Sequence, residues 1–440
     1  MTLKGGDIRA RLGARQTLRP LGCGLAVSAI ATIVALAVGD DTVSITDARA
    51  APPSTLAFYA STFSKTPSVE AMTELGRLLF FDRSLSASGK LACASCHDPE
   101  RAYGPPNGLA VQLGGPDLKR AGIRAVPSLR YMQNVPPFSE HFEDEEQGGA
   151  DQGPTGGHTW DGRADTVHDQ ARLPLLSPFE MADANPDEVV EKVRRGAYSK
   201  GFRDVFGDDV FADNTRAFKA VLLSFEVFQQ SPADFYPYSS RYDAWLRGKG
   251  ELTAQEERGL ALFNDPKKGN CATCHPSQMR GKVLPQFTDF GFVALGVPRN
   301  GGIPANADGA YNDLGLCGPE RKDLSGQPQY CGMFRTPSLR NVAVRRVFFH
   351  NGAFHTLRQV LEFYVERDMR PGKWYPTSRG GRVRMYDDLP EQYHGNVDRE
   401  PPFDRGPREA PALSSSEIDD VIAFLQTLTD ADATGLPLGR

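Results

Sequence analysis

Cys93-Ala94-Ser95-Cys96-His97 is a C-x-x-C-H pentapeptide, the pattern by which c-type haem is attached to a chain. Two thiols add to the porphyrin vinyl groups and the adjacent histidine becomes an iron ligand, so all three residues must share one turn of backbone. The pattern recurs at Cys271-Ala272-Thr273-Cys274-His275. A zinc knuckle or a redox dithiol is the competing reading, but neither needs a histidine directly after the second cysteine in both copies. Two covalently bound haems c are expected, with His97 and His275 on the irons.

The sequence around the two motifs is also duplicated. Gly76-Arg77-Leu78-Leu79-Phe80 precedes the first and Gly259-Leu260-Ala261-Leu262-Phe263 the second. The first stretch is expected on a helix opening at Thr66-Pro67, the second on a helix opened by the capping box Thr253-Ala254-Gln255-Glu256. Beyond the motifs, Val126-Pro127-Ser128-Leu129-Arg130 echoes Thr336-Pro337-Ser338-Leu339-Arg340, and Trp160-Asp161-Gly162 aligns with His350-Asn351-Gly352. The fold class that follows is mainly α, with two related cytochrome c-like haem domains and long irregular loops. Their boundary falls between Ser231 and Ser239, where a helical run from Arg216 to Gln229 ends, giving domains 51–235 and 236–440. Segments 140–158, 298–333 and 367–412 carry no periodicity and read as solvated loops. A last helix follows the capping box Ser414-Ser415-Ser416-Glu417, with Ile418, Val421, Ile422, Leu425 and Leu428 on one face for the core.

At 440 residues, 24% charged and 40% hydrophobic, the composition is that of an ordinary globular protein. Residues 1–50 read as a signal peptide or membrane anchor: Lys4, Arg9, Arg11, Arg15 and Arg19 precede an apolar run from Leu21 to Val38, and Ala48-Arg49-Ala50 offers a cleavage site. Either reading places the body in the cell envelope, on the periplasmic side. Residues 51–65 read as a linker. Of seven cysteines, four belong to the haem motifs and Cys23 to the leader, which leaves Cys317 and Cys331 as a pair in an oxidising compartment. Their bridge would close a loop of about 15 residues and contribute roughly 3 kcal/mol, two free buried thiols being the alternative. Net charge is −5, and −7 without the leader, which argues against nucleic acid as a partner.

The two haem motifs, Trp160-Asp161-Gly162-Arg163, Ser177-Pro178-Phe179-Glu180-Met181, and Leu339-Arg340-Asn341 followed by His350-Asn351-Gly352 together resemble the bacterial dihaem cytochrome c peroxidase family, which includes the methylamine-utilisation protein MauG. The resemblance runs from about residue 68 to 430. It implies a peroxidatic N-terminal haem that reacts with hydrogen peroxide and a C-terminal haem that stores or relays electrons. Trp160 takes the place of the family's tryptophan between the haems; from the residues alone it reads as a buried core tryptophan whose N–H finds a partner. Gln170 and Glu180 match the family's distal pair, Glu180 as the acid/base that moves a proton between the peroxide oxygens and Gln170 as the group that orients peroxide or water. Without the resemblance, Glu180 would read as a helix-start residue.

If Trp160 corresponds to His350, then Pro174 corresponds to Tyr364. Proline cannot ligate iron and tyrosine can, so the first haem keeps an open position facing Pro174 while Tyr364 closes the second. The family places its second-haem ligand at this offset, methionine in the classical peroxidases and tyrosine in MauG. Met369 is the alternative ligand, five residues beyond that offset. A phenolate favours ferric and higher oxidation states, whereas a thioether raises the potential. The family's members that need prior reduction carry a histidine in the loop after the first haem motif, and residues 98–126 contain none. His141, His158 and His168 lie outside that loop and read as surface or hydrogen-bonded histidines. The tryptophan that MauG carries two residues before its second motif is Gly269 here. The family's calcium site uses an asparagine at a position that is Ala125 here, so for calcium only backbone carbonyls would remain.

Three functions compete on this reading. The first is a dihaem peroxidase that reduces hydrogen peroxide with electrons from a small cytochrome c or cupredoxin. The second is a MauG-like oxidase of side chains on a protein substrate. The third is a non-catalytic electron carrier with both haems six-coordinate. The sequence leaves monomer and homodimer both open.

Overall fold

The computed structural model describes residues 63–143 and 149–433. The leader and most of the 51–65 linker lie outside the described residues, and no described helix is long and apolar enough to cross a membrane. Among the described residues, eight helices have eight residues or more: α1 (Val69–Phe81), α2 (Val167–Leu176), α3 (Pro186–Arg195), α4 (Ser199–Phe206), α5 (Asn214–Gln229), α6 (Ala254–Asn264), α7 (Leu357–Glu366) and α8 (Ser415–Gln426). Among the described residues, sheet is confined to two antiparallel pairs of two-residue strands, β1 (Leu113–Gly114) with β2 (Arg120–Ala121) and β3 (Phe292–Val293) with β4 (Phe334–Arg335). The rest is short helical turns and irregular chain, and the segments that read as solvated loops are in part core: Leu316, Leu324 and Tyr330 of 298–333 and Tyr375, Tyr386 and Phe403 of 367–412 are buried, because their apolar side chains pack inward without any helical or strand period.

Two apolar cores organise residues 63–433. One draws on residues 72–235, including Leu79, Phe80, Val190, Phe202, Val221 and Phe228; the other draws on residues 242–428, including Phe263, Phe287, Phe363, Val421 and Leu428. Each is built on a pair of crossing helices, α1 with α5 and α6 with α8. The glycine of the repeated Gly-x-x-Leu-Phe stretch explains the crossing. A Cβ on Gly76 would lie 2.0 Å from the backbone oxygen of Ser224, and one on Gly259 would lie 1.9 Å from that of Asp420. Only a residue without a side chain lets the helices approach this closely.

Helix starts follow the sequence signals with one correction. Thr253 and Ser414 cap α6 and α8 through complete capping boxes. The first helix does not open at Thr66-Pro67. Its cap is Ser68, whose hydroxyl accepts from the Ala71 N–H, and Pro67 precedes the helix instead of entering it. Thr166 and Thr356 cap α2 and α7, which start at the same offset from Trp160 and His350. On α8, Ile418, Val421, Leu425 and the following Leu428 are buried, while Ile422 is only partly so. Cys317 and Cys331 form a disulfide.

Gly259→Ala is expected to destabilise the protein by about 2 kcal/mol, because the contact is with backbone and the helices must move apart. Denaturant unfolding of the holoprotein would measure it; an unchanged midpoint would mean the crossing tolerates a methyl group.

Candidate active site

The repeated Pro-Ser-Leu-Arg stretch proves to be the device that holds the two histidines. Nδ1 of His97 lies 3.2 Å from the carbonyl oxygen of Tyr103, and the same oxygen accepts from the Leu129 N–H at 3.2 Å. Nδ1 of His275 lies 2.8 Å from the Phe287 oxygen, which accepts from the Leu339 N–H at 3.3 Å. Ser128 and Ser338 tie down the same loops by donating to Ala102 and Gln286, and Arg130 and Arg340 bury their guanidiniums against acidic partners. Arg340 meets Asp243 through two hydrogen bonds of 2.9 and 2.8 Å, with both side chains fully buried. A carbonyl at Nδ1 fixes the tautomer and leaves Nε2 as the free lone pair, the form that a metal takes. Burial lowers both imidazoles to about 4, so both are neutral at pH 7.

Each histidine opens onto a cavity. The first, of about 210 Å³, is lined by Cys93, Cys96, His97, Trp160, Gln170, Pro174 and Glu180. The second, of about 570 Å³, is lined by Trp160, Cys271, Cys274, His275, His350 and Tyr364. The residues read as haem-binding or catalytic thus meet in two places. Trp160 lines both cavities. It is buried, its Nε1–H donates to the Ala125 oxygen at 2.7 Å, and its own carbonyl accepts from the Arg335 N–H. Its counterpart His350 lies flat on Phe334, centroids 3.5 Å apart.

Gln170 and Pro174 sit one turn apart on α2, on the face that lines the first cavity. Pro174 has no N–H to give the Gln170 carbonyl, so the helix is weakened where the two side chains point inward. Glu180 lies in the turn after α2 and not at a helix start; its carbonyl accepts from the Gly115 N–H at the end of β1. Its side chain opens onto the cavity. The surrounding protein raises its pKa above the ordinary carboxyl value, Arg163 and Ser177 lower it, and Glu320 raises it again.

Tyr364, on α7, stacks with Phe349 and Phe403 and faces the second cavity. Burial pushes its phenol up, with Cys274 and Cys271 adding to the shift. Met369 is buried away from the lining, whereas Met333 is part of it. His141 is exposed and bonded to Asp151, and His168 is buried against Glu226. His158, read as an ordinary histidine, lines the first cavity and is held neutral by burial, its pKa lowered to about 3.

Sequence reasoning missed the cations. Arg335 lines both cavities and Arg345 the second. Their side chains donate to neutral groups, Arg335 to the Thr159 oxygen and the Met132 sulfur, Arg345 to the oxygens of Val347 and Val126. No carboxylate among the described residues pairs with either, and burial lowers both to about 10. Two uncompensated cations beside apolar cavities are costly unless an anion enters. A haem brings two carboxylates, an apolar ring for the walls, iron for the neutral imidazole and vinyl groups for the thiols, so the residues present fit that group in both places. For calcium the fit is poorer. The Ala125 carbonyl, one of the backbone groups that would remain for it, already accepts from the Trp160 indole.

Comparison with known proteins places the chain in a family. Residues 70–251 match the family described as di-haem cytochrome c peroxidase. The chain is 35% identical to the methylamine utilization protein MauG of Paracoccus denitrificans over 378 residues, 83% of this chain and 90% of that protein. It is 29% identical to the cytochrome c551 peroxidase of Nitrosomonas europaea over 309 residues, 68% of this chain and 73% of that one. The crystal structure of the diheme peroxidase BthA from Burkholderia thailandensis superposes with a TM-score of 0.74 at 39% identity, covering 86% of this chain and 90% of that one. With two haem motifs, two matching cavities and relatives of this kind over most of its length, the chain belongs to the dihaem cytochrome c peroxidase family, a peroxidase-type oxidoreductase that acts on peroxide.

Proposed function

We propose that the chain reduces hydrogen peroxide in the first cavity with electrons that enter at the second and pass through Trp160. The observation that carries this reading is that one buried indole lines both cavities, while Glu180, Gln170 and Pro174 converge with His97 in the first alone. When bound through Cys93, Cys96, Cys271 and Cys274, the haems supply the redox-active iron. The protein supplies the proton handling. Reducing one peroxide to two waters takes two electrons and two protons, and one proton must cross from the near oxygen to the far one. Glu180 accepts it and returns it, and its raised pKa brings it nearer to working pH than an ordinary carboxyl. Gln170 offers an amide that donates and accepts, which suits it to hold peroxide in line. Pro174 presents no ligating atom on that side.

The protein works in the periplasm on this reading, as the leader implies, with a small cytochrome c or cupredoxin as donor. A second reading is favoured by one observation. The Tyr364 phenol faces the second cavity whereas Met369 does not, and a phenolate would hold that iron ferric. Such a protein would react without prior reduction and turn its oxidising power on a partner protein, as in the MauG-like alternative, although Gly269 removes the surface tryptophan of that route. Stoichiometric peroxide added to the fully ferric holoprotein separates the two. A prompt change of the haem spectrum supports the second reading, and no reaction until one electron is supplied supports the first.

Glu180→Gln is expected to slow peroxide decay by about 10²–10⁴-fold with both haems still attached, measured by stopped flow. An unchanged rate would remove Glu180 from the reaction. Tyr364→Phe should alter the spectrum of the second haem only; a spectrum equal to the parent's would end the case for Tyr364 as its ligand.

A further inference from the structure

Glu320 lies far from the first haem motif in sequence, in the stretch that read as a solvated loop, yet it lines the first cavity. The Cys317–Cys331 disulfide closes its loop. Arg321 fastens the loop to the site: its Nη1 donates to the Asp161 carbonyl oxygen at 3.0 Å, its guanidinium lies 3.7 Å from the centre of the Phe138 ring, and its other nitrogens bind Asp323. Glu320 is therefore held at the rim. Its carboxylate is 3.5 Å from Nη2 of Arg163.

Arg163 is the cation shared by the acidic groups of this wall. Its Nη1 donates to both oxygens of Asp161 at 2.9 and 2.8 Å, and it is the nearby charge that favours the ionised form of Glu180. Asp161 does not titrate near neutral pH. Burial opposes its charge, but Arg124, Arg163 and Thr159 hold it down to about 2. Glu320 is the member of the group that reaches solvent.

We propose that Glu320 is a positioning residue of the peroxide cavity, carried there by the disulfide-closed loop and acting on Glu180 through Arg163. The proposal rests on the reading of Glu180 as acid/base. With Glu320 engaged, part of the Arg163 charge is spent outside Glu180 and a second negative charge faces it, so Glu180 keeps its proton to higher pH than Arg163 alone would allow. The other titratable and charged groups on this cavity are Arg124, Arg335, His97, His158 and the thiols of Cys93 and Cys96, and the thiols become neutral thioethers on haem attachment. The β1–β2 hairpin that packs on the turn contributes Arg120, laid against Gly115.

As a base toward peroxide, Glu180 works in its ionised form, so the rate climbs as pH rises through its titration. Removing the Glu320 charge favours that form and moves the climb to lower pH. In the Glu320→Gln holoenzyme, the acid limb of the peroxide rate is expected to shift down by about half a pH unit, or ~threefold faster at a fixed pH on the limb. The pH dependence of cyanide binding to the ferric protein, which also hands a proton to the distal base, should shift in the same direction. Glu320→Asp should restore the parent profile. Cys317→Ser with Cys331→Ser frees the loop and should reproduce the shift, with no further change when Glu320→Gln is added. An unmoved limb in Glu320→Gln, in a protein whose Glu180→Gln variant is slow, overturns the proposal alone. If Glu180→Gln is as fast as the parent, the reading beneath it falls as well.

Discussion

Two backbone carbonyls, those of Tyr103 and Phe287, carry the constraint on which the rest depends. Each accepts both a histidine Nδ1 and the N–H of the leucine in the repeated Pro-Ser-Leu-Arg stretch. The ring that would hold iron is thereby fixed to the same backbone segment that lines the cavity. Behind it, the serine of the stretch ties down the neighbouring loop and the arginine reaches into the interior. The Arg340–Asp243 pair lies fully buried with further bonds to its surroundings, so loss of one partner would cost about 3–5 kcal/mol. The repeat in the sequence is thus a repeat of a ligand-positioning device.

On this shared scaffold the two cavities differ at few points. Helices α2 and α7 share a threonine cap and a common offset from Trp160 and His350, and they present Pro174 in one case and Tyr364 in the other. The acidic turn with Glu180 follows α2, whereas α7 runs on into the Arg367 region, whose guanidinium lies on Phe403. Between the cavities, Arg124 grips Asp161 beside the indole and Asp313 of the long loop with bonds of 2.6 to 2.7 Å. The tryptophan is therefore flanked by fixed charges, which limits how it can reorient.

Features written in contiguous residues were legible in the sequence: the haem motifs, the capping boxes at Thr253 and Ser414, the cysteine pair, and the residues at family offsets. The Thr66-Pro67 start was misplaced because Ser68 is an equally good cap one residue beyond the proline, and only the bond to Ala71 decides between them. The glycines of Gly-x-x-Leu-Phe were visible as a repeat, but their purpose needed the partner helix. Arg335, Arg345 and Glu320 were not legible at all. Their importance lies in what they lack or meet across long sequence distances, and a charged residue in a loop has no periodicity to betray it. His158 escaped for the same reason.

The wall that Glu320 and Arg335 contribute to the first cavity also sets an order of assembly. The Cys93–His97 motif is local, and it is complete as soon as that part of the chain has been made. The wall arrives only with the second half, after Cys317 has met Cys331 and Arg321 has reached Asp161. A half-made chain would carry the first motif without the enclosure around it. The enclosure of the first cavity thus depends on a loop that comes late in the sequence.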